Sequence, residues 1–294
     1  MSLANSFRNY ASFADSPIQE HTNQYLDIDL DLDSEAGMTL VSIKKDAPVY
    51  FSLRMLAELS DCAASAEELA RWDCRFRVLV SKRDSVFSLG GDLGFFQDCI
   101  KNGDSSSLES YADLAIDAIW GSITGGKDPR KISVALVQGE AQGGGFEAAL
   151  ASHLLIAERG AAFGFPEALF GLFPGMGAKP LLTARTNAAA ANMIIGSARR
   201  FLAEELFDLG VVDFIAEPGH GMQMVRALNR THAWQKFYES RRRFEGIQKE
   251  DLLDTTRQWV RQAMNLSEKN VKAIGYLRQA QVRMQRRNPI ARVL

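Results

Sequence analysis

The sequence predicts an α/β fold built from repeated strand-strand-helix units and closed at its C-terminal end by helices. Three observations carry that prediction. Short apolar runs, FRVLVSK at 76–82, ISVALVQ at 132–138 and LLIAE at 154–158, recur between stretches with helical spacing of apolar residues. Glycine turns follow two of the apolar segments. Beyond Pro218 no strand pattern remains, so the charged sequence to Leu294 reads as two or three helices, with Pro289 marking the tail.

Taken in order, residues 1–24 carry Ser, Asn, Gln and scattered Phe without a period, and read as an arm ordered through contacts elsewhere. From Tyr25, the run YLDIDLDLDSE alternates Leu26, Ile28, Leu30 and Leu32 with Asp27, Asp29, Asp31 and Asp33, the period of a half-buried strand whose aspartates face water. A calcium loop is disfavoured, because counting from Asp27 puts Leu32 at the turn-glycine position and Met38 at the bidentate-Glu position. A second strand follows at 38–45, then a helix over about 52–71 and the strand at 76–82. After the turn SLGGD at 88–92 come helices near 92–102 and 107–120 and the strand at 132–138. Strand 154–158, a helical stretch around 176–196, AEELFDLG and the strand VVDFIA at 211–216 repeat the alternation. The organisation expected is an arm (1–24), a core (25–217) and a helical cap (218–294).

Composition narrows the function. The 294 residues are 46% hydrophobic and 24% charged with a net charge of −2, which excludes disordered and collagen-like chains and gives no overall attraction to nucleic acid or anionic membrane. Three cysteines without a CxxC, and no paired histidines, argue against a disulfide framework or a zinc site. No segment has the apolar length of a membrane span, and the first 24 residues lack a signal-peptide core, so a cytosolic protein is expected. Neither a metal nor a cofactor is called for.

Gly121 to Lys127 has GxxxxGK spacing, but Asp128 stands where Ser or Thr belongs. The segment also follows a helix instead of a strand, so nucleotide binding is disfavoured. The stronger signal is QGEAQGGGFEAAL (138–150), where a buried strand ends, three glycines follow and a helix begins. The helix start offers unpaired N–H groups at Gly144, and Glu147 projects from the first turn. Alone, this reads equally as a tight turn whose Glu favours the helix dipole. A second glycine turn, FSLGGDL (87–93), and a second acid in FPEA (165–168) make it one of a set.

With these motifs, FxxGxD, GGGxE and PE, residues 35–217 resemble the crotonase (enoyl-CoA hydratase/isomerase) superfamily. The resemblance implies a spiral of the predicted units and backbone N–H groups of Gly91 and Gly144 as an oxyanion hole for a thioester carbonyl. It implies Glu147 and Glu167 as the acid and base, and retention of both favours adding or removing water. Chemistry asks for the same parts, since a 3-hydroxyacyl thioester must lose a weakly acidic Cα proton and a poor leaving group. Residues 136–178, above all GFPEALFGLFPGMGA, further resemble the diffusible-signal-factor synthases, as does the helix from Thr255 to Met264. That likeness implies dehydration of a medium-chain 3-hydroxyacyl group on acyl carrier protein, thioester hydrolysis and release of a free cis-2-enoic acid. It also implies a trimer or dimer of trimers and a signalling-sensor protein as a further partner.

Water activated by Glu147 or Glu167 beside a polarised carbonyl has the parts for hydrolysis without a covalent nucleophile. His21, His153, His220 and His232 accompany no nucleophile elbow and read as surface or packing residues. Leu89, Met176, Trp259 and Leu277 are candidates for the acyl-chain lining, or equally for core or subunit contact. The final 26 residues hold seven cations, among them Lys269, Arg283 and Arg287, and no acid. They form either a solvated helix face or a docking face for an acidic carrier protein, with Arg241, Arg242 and Arg243 as a second candidate. Two other functions stand beside the synthase: an ordinary enoyl-CoA hydratase, and a catalytically silent scaffold that binds a partner.

Overall fold

A computed structural model describes residues 19–22, 25–64, 74–83, 85–125, 131–230 and 239–287. Two sheets organise the core. The larger has seven strands: β1 (Gln19–Thr22), β2 (Ile28–Asp33), β3 (Met38–Ile43), β4 (Phe76–Ser81), β6 (Ile132–Val137), β8 (Leu154–Glu158) and β11 (Phe214–Ala216). They lie side by side in that order, antiparallel from β1 to β3 and parallel from β3 to β11. The central parallel strands β6 and β8 have every residue buried, as expected where both faces are covered.

A second sheet of four short strands runs β10 (Arg200–Leu202), β9 (Ala162–Gly164), β7 (Glu140–Gln142), β5 (Val86–Ser88). Each has three residues, too short for a period to show in sequence, so the sheet has no counterpart in the strand pattern read from the sequence. Its strands continue, after a bend, from strands of the first sheet: β4 into β5, β6 into β7, β8 into β9. Each spiral unit thus presents two strands and then helix. The helices are α1 (Leu53–Ala64), α2 (Leu93–Asn102), α3 (Ser105–Thr124), α4 (Gly144–Leu150), α5 (Ala178–Arg185), α6 (Ala188–Ser197) and α7 (Ala203–Asp208). Beyond the core, residues 221–287 contribute only helices among the described residues: α8 (Gly221–Arg230), α9 (Lys249–Met264) and α10 (Glu268–Arg287).

Several expectations need correction. Of the four aspartates of β2 and its approach, Asp27, Asp31 and Asp33 are buried and Asp29 is partly exposed, whereas Leu26 is exposed. Each buried carboxylate has a cation within the fold. Arg54 chelates Asp27 at 2.7 and 2.9 Å, Lys82 lies 3.7 Å from Asp31, and Arg226 of α8 donates to Asp33 at 2.9 Å. Alternation reports which side chains share a face, not what covers the other one. The stretch at 176–196 is two helices, because Asn187 caps α6 by accepting from Ala190 N at 2.9 Å. Only Phe214–Ala216 of VVDFIA pairs as strand, although Val211 and Val212 are buried. Part of the N-terminal arm, β1, is strand paired with β2. Gly121 to Thr124 is the last turn of α3, closed by Gly125 at φ 74°, and residues 126–130, like His232 and Pro289, lie outside the described residues.

Candidate active site

Two turns at the bend between the sheets build the site. In the first, Gly90 sits at φ 83°, where a Cβ would lie 2.8 Å from the Gln142 carbonyl oxygen and 3.0 Å from the Gly144 nitrogen. Only glycine fits there. Asp92 then caps α2 by accepting from Phe95 N at 3.0 Å. In the second turn, Gly143 at φ 52° breaks the chain out of β7, and Glu147 N returns to its carbonyl at 3.0 Å. Gly144 is the first residue of α4, so its N–H has no acceptor within the helix. The two turns touch: a methyl built on Gly144 would stand 3.8 Å from the Gly91 nitrogen and 2.9 Å from the Met176 sulfur.

Glu147, one turn into α4, is 1% exposed. Its Oε1 accepts from Met176 N at 2.7 Å and Ala178 N at 3.0 Å, the start of α5. Burial pushes its carboxyl up to about 7 against the pull of those two donors. Glu167 lies in the short 3₁₀ turn Pro166–Phe170 and is 9% exposed. Burial, and then the charge of Glu147, push it up to about 8. Its Oε2 is buried and has no hydrogen-bond partner among the described residues. The ring of Phe146, beside Glu147, stacks on Phe165, two residues before Glu167, at 4.8 Å. That stack ties together the two segments that carry the acids.

Both acids and both glycines open on one cavity of about 330 Å³, and so do Leu89, Met176, Trp259 and Leu277. Trp259 on α9 also packs edge-on against Phe96 of α2, with ring centres 5.1 Å apart, so it serves core and cavity wall together. All eight candidates from the sequence meet here. Others had no local signal: Gln142, Thr256, Gln281, and Arg199 and Arg200 beside the cavity. Arg200 pairs with Glu140 at 2.8 Å across a separation of 60 residues, and the Arg199 guanidinium stacks on Phe201 at 3.6 Å. Such contacts leave no spacing to read.

The histidines that can be placed lie elsewhere. His153 is fully buried and held neutral, with its Nδ1 accepting from Ser133 N at 3.0 Å, and burial lowers its pKa to about 3. His220 is at the surface against the Pro218 carbonyl. Within the run at 241–243, Arg241 turns inward to the Lys131 and Thr124 carbonyls and Arg243 to Asp213, which leaves Arg242 as the exposed member paired with Glu245. That run is therefore structural and not a docking face. Among the described residues no group of three or more His, Cys, Asp or Glu could hold a metal ion, and no helix is long and apolar enough to cross a membrane.

An apolar cavity that ends at two buried carboxyls and two adjoining glycine turns has the parts needed to stabilise an oxyanion while protons move. Residues 35–236 match the enoyl-CoA hydratase/isomerase family model, and the chain belongs to that family, within the crotonase superfamily. It is similar to a probable enoyl-CoA hydratase of Bacillus subtilis, 32% identical over 167 residues, 56% of this chain and 60% of that one. It is also similar to the peroxisomal fatty acid beta-oxidation multifunctional protein AIM1 of Arabidopsis thaliana, 30% identical over 213 residues, 72% of this chain and 28% of that one. The matches thus cover less than two thirds of either relative's length. Among solved structures, DspI of Pseudomonas aeruginosa superposes with a TM-score of 0.63 at 25% identity, over 74% of this chain and 86% of that one. An enoyl-CoA hydratase of Bacillus halodurans reaches 0.70 at 19% identity, over 85% and 99%, a likeness of fold.

Proposed function

We propose that this protein dehydrates a medium-chain 3-hydroxyacyl thioester carried by an acyl carrier protein and then hydrolyses the thioester, releasing a free cis-2-enoic fatty acid signal. The observation that carries the reading is the acid pair: two carboxyls, both buried, both raised toward neutrality, on one apolar cavity beside the Gly91 and Gly144 amides. Between about pH 7 and 8 such a pair holds one proton, the proton count dehydration needs.

The carbonyl oxygen accepts from Gly91 and Gly144, which stabilises the enolate as a Cα proton passes to the ionised carboxyl. The bond from C3 to its hydroxyl breaks, the protonated carboxyl supplies the proton, and water leaves. By microscopic reversibility the acid of one direction is the base of the other. A water held by the same carboxyls then attacks the polarised carbonyl, the carbon–sulfur bond breaks, and the thiol departs with a proton. The substrate geometry follows from the resemblance of residues 136–178 to the signal synthases. By that resemblance the enzyme works as a trimer or dimer of trimers. The carrier would dock on α10, where Lys272, Arg283, Arg286 and Arg287 are exposed.

Mass spectrometry with isomer-resolving chromatography tests the proposal on 3-hydroxydodecanoyl thioesters of carrier protein and of CoA. Free cis-2-dodecenoic acid from the carrier substrate supports it. Reversible formation of trans-enoyl-CoA without free acid makes the protein an ordinary hydratase, and no turnover of either makes it a binding scaffold.

A further inference from the structure

Three consecutive peptide planes form the turn from Leu89 to Asp92, and the outer two are held by one side chain. The middle plane, between Gly90 and Gly91, supplies the amide beside Gly144. Its carbonyl, Gly90 O, accepts from Phe51 N at 2.8 Å. Because the N–H and C=O of one planar trans peptide point apart, that bond turns the Gly91 N–H to the opposite side. The flanking planes present the Leu89 and Gly91 carbonyls. Both accept from Nε2 of Gln281, at 3.1 and 2.8 Å, while its Oε1 accepts from Leu93 N at 3.4 Å. Gln281 comes from α10, is buried, and stands 190 residues from Gly91 in sequence.

We propose that Gln281 is a positioning residue for the Gly91 amide, so that the last helix sets the geometry of the oxyanion hole. The inference rests on the reading of the cavity as an acyl-thioester site. The dihedral angles of Gly90 and Gly91 are the relative rotations of these three planes, and glycine resists such rotation least of all residues. An amide that stabilises a developing oxyanion has to be aimed before the reaction begins. Phe51 holds the middle plane, and Gln281 bridges the carbonyls of the two outer ones, whose N–H groups reach Ser88 Oγ at 3.2 Å and Tyr111 Oη at 3.3 Å. One helical turn on, Gln285 accepts from Val49 N at 2.7 Å and donates to Ala47 O at 3.3 Å, seating the same helix on the loop before α1. Gln285 therefore supplies a control with the same kind of helix-to-loop contact.

The test compares Gln281→Met with Gln285→Met, using two unreactive acyl-CoA analogues of one chain length. In one analogue a methylene replaces sulfur and the carbonyl stays; in the other a thioether has no carbonyl. Wild-type protein binds the ketone more tightly than the thioether. Gln281→Met lowers that preference and kcat by about tenfold or more, with KM changed less than about threefold, as expected for a misplaced oxyanion donor. Gln285→Met leaves the preference as it was. Gln281→Asn, which keeps an amide one methylene short, reads the same ratio should Gln281→Met fail to fold. An unchanged preference in the Gln281 variant overturns the positioning role alone. Equal wild-type affinity for the two analogues removes the acyl-thioester reading itself, and the positioning role with it.

Discussion

The Glu167 carboxyl occupies the space a side chain at Gly143 would need: a Cβ there would stand 2.5 Å from Oε1. The glycine that turns β7 into α4 thus also admits the second acid. Gly143→Ala is expected to displace Glu167 and to strain a residue held at φ 52°, at a cost of about 1–2 kcal/mol. Dehydration should fall by about 10²-fold or more, the order of one acid–base contribution. Steady-state kinetics beside thermal unfolding checks both effects, and unchanged kinetics would separate Gly143 from the placement of Glu167.

Neither acid can make both proton transfers at once. Glu147→Ala and Glu167→Ala should each reduce dehydration by at least about 10²-fold, with circular dichroism of the fold unchanged. Near-wild-type turnover in either variant would end the two-acid mechanism.

The pH dependence follows from the direction of both shifts. Below about 7 both carboxyls are protonated and above about 8 both are ionised, so kcat/KM should describe a narrow bell between those limbs. Stability has a definite sign as well. A carboxyl raised from 4.5 to about 8 on folding contributes stability that is fully present below 4.5 and is lost as pH rises to about 8. Glu167→Gln, neutral throughout, should therefore gain stability relative to wild type between pH 5 and pH 8, by on the order of a few kcal/mol. Denaturant unfolding at the two pH values measures the gain, and a gain equal at both would contradict the burial of a neutral acid.

Leu277 of α10 and Trp259 of α9 line the same cavity of about 330 Å³, so filling it should shorten the chain it accepts. Leu277→Trp is expected to raise KM for a twelve-carbon thioester by about tenfold or more and to leave a four-carbon one near wild type, since each excluded methylene forfeits about 0.8 kcal/mol of burial. A chain-length series of kcat/KM values checks this, and a uniform loss would place Leu277 in the fold's packing instead.

How far the sequence was legible depends on the range of the contacts. Glu147 and Glu167 could be found because each is fixed to a local motif, a glycine turn before a helix and a proline-led turn, whose spacing survives in one dimension. Gly91 was legible for the same reason. Gln281 was not: its partners lie about 190 residues away, and an amide donating to two backbone carbonyls imposes no residue type on them. Asp27, Asp31 and Asp33 were misread because Arg54, Lys82 and Arg226, which pair with them, come from distant parts of the chain. The four short strands escaped because three residues hold too little of a two-residue period, although they carry the bend on which the site is built.

In the function proposed, one acid pair removes water and the same site then admits water to the thioester. Turnover of the 3-hydroxydodecanoyl carrier protein in ¹⁸O-water distinguishes the two steps. A free 2-enoic acid with one labelled oxygen in its carboxyl group is the expected product. Label at C3 of an intact thioester, with no acid released, would contradict that function.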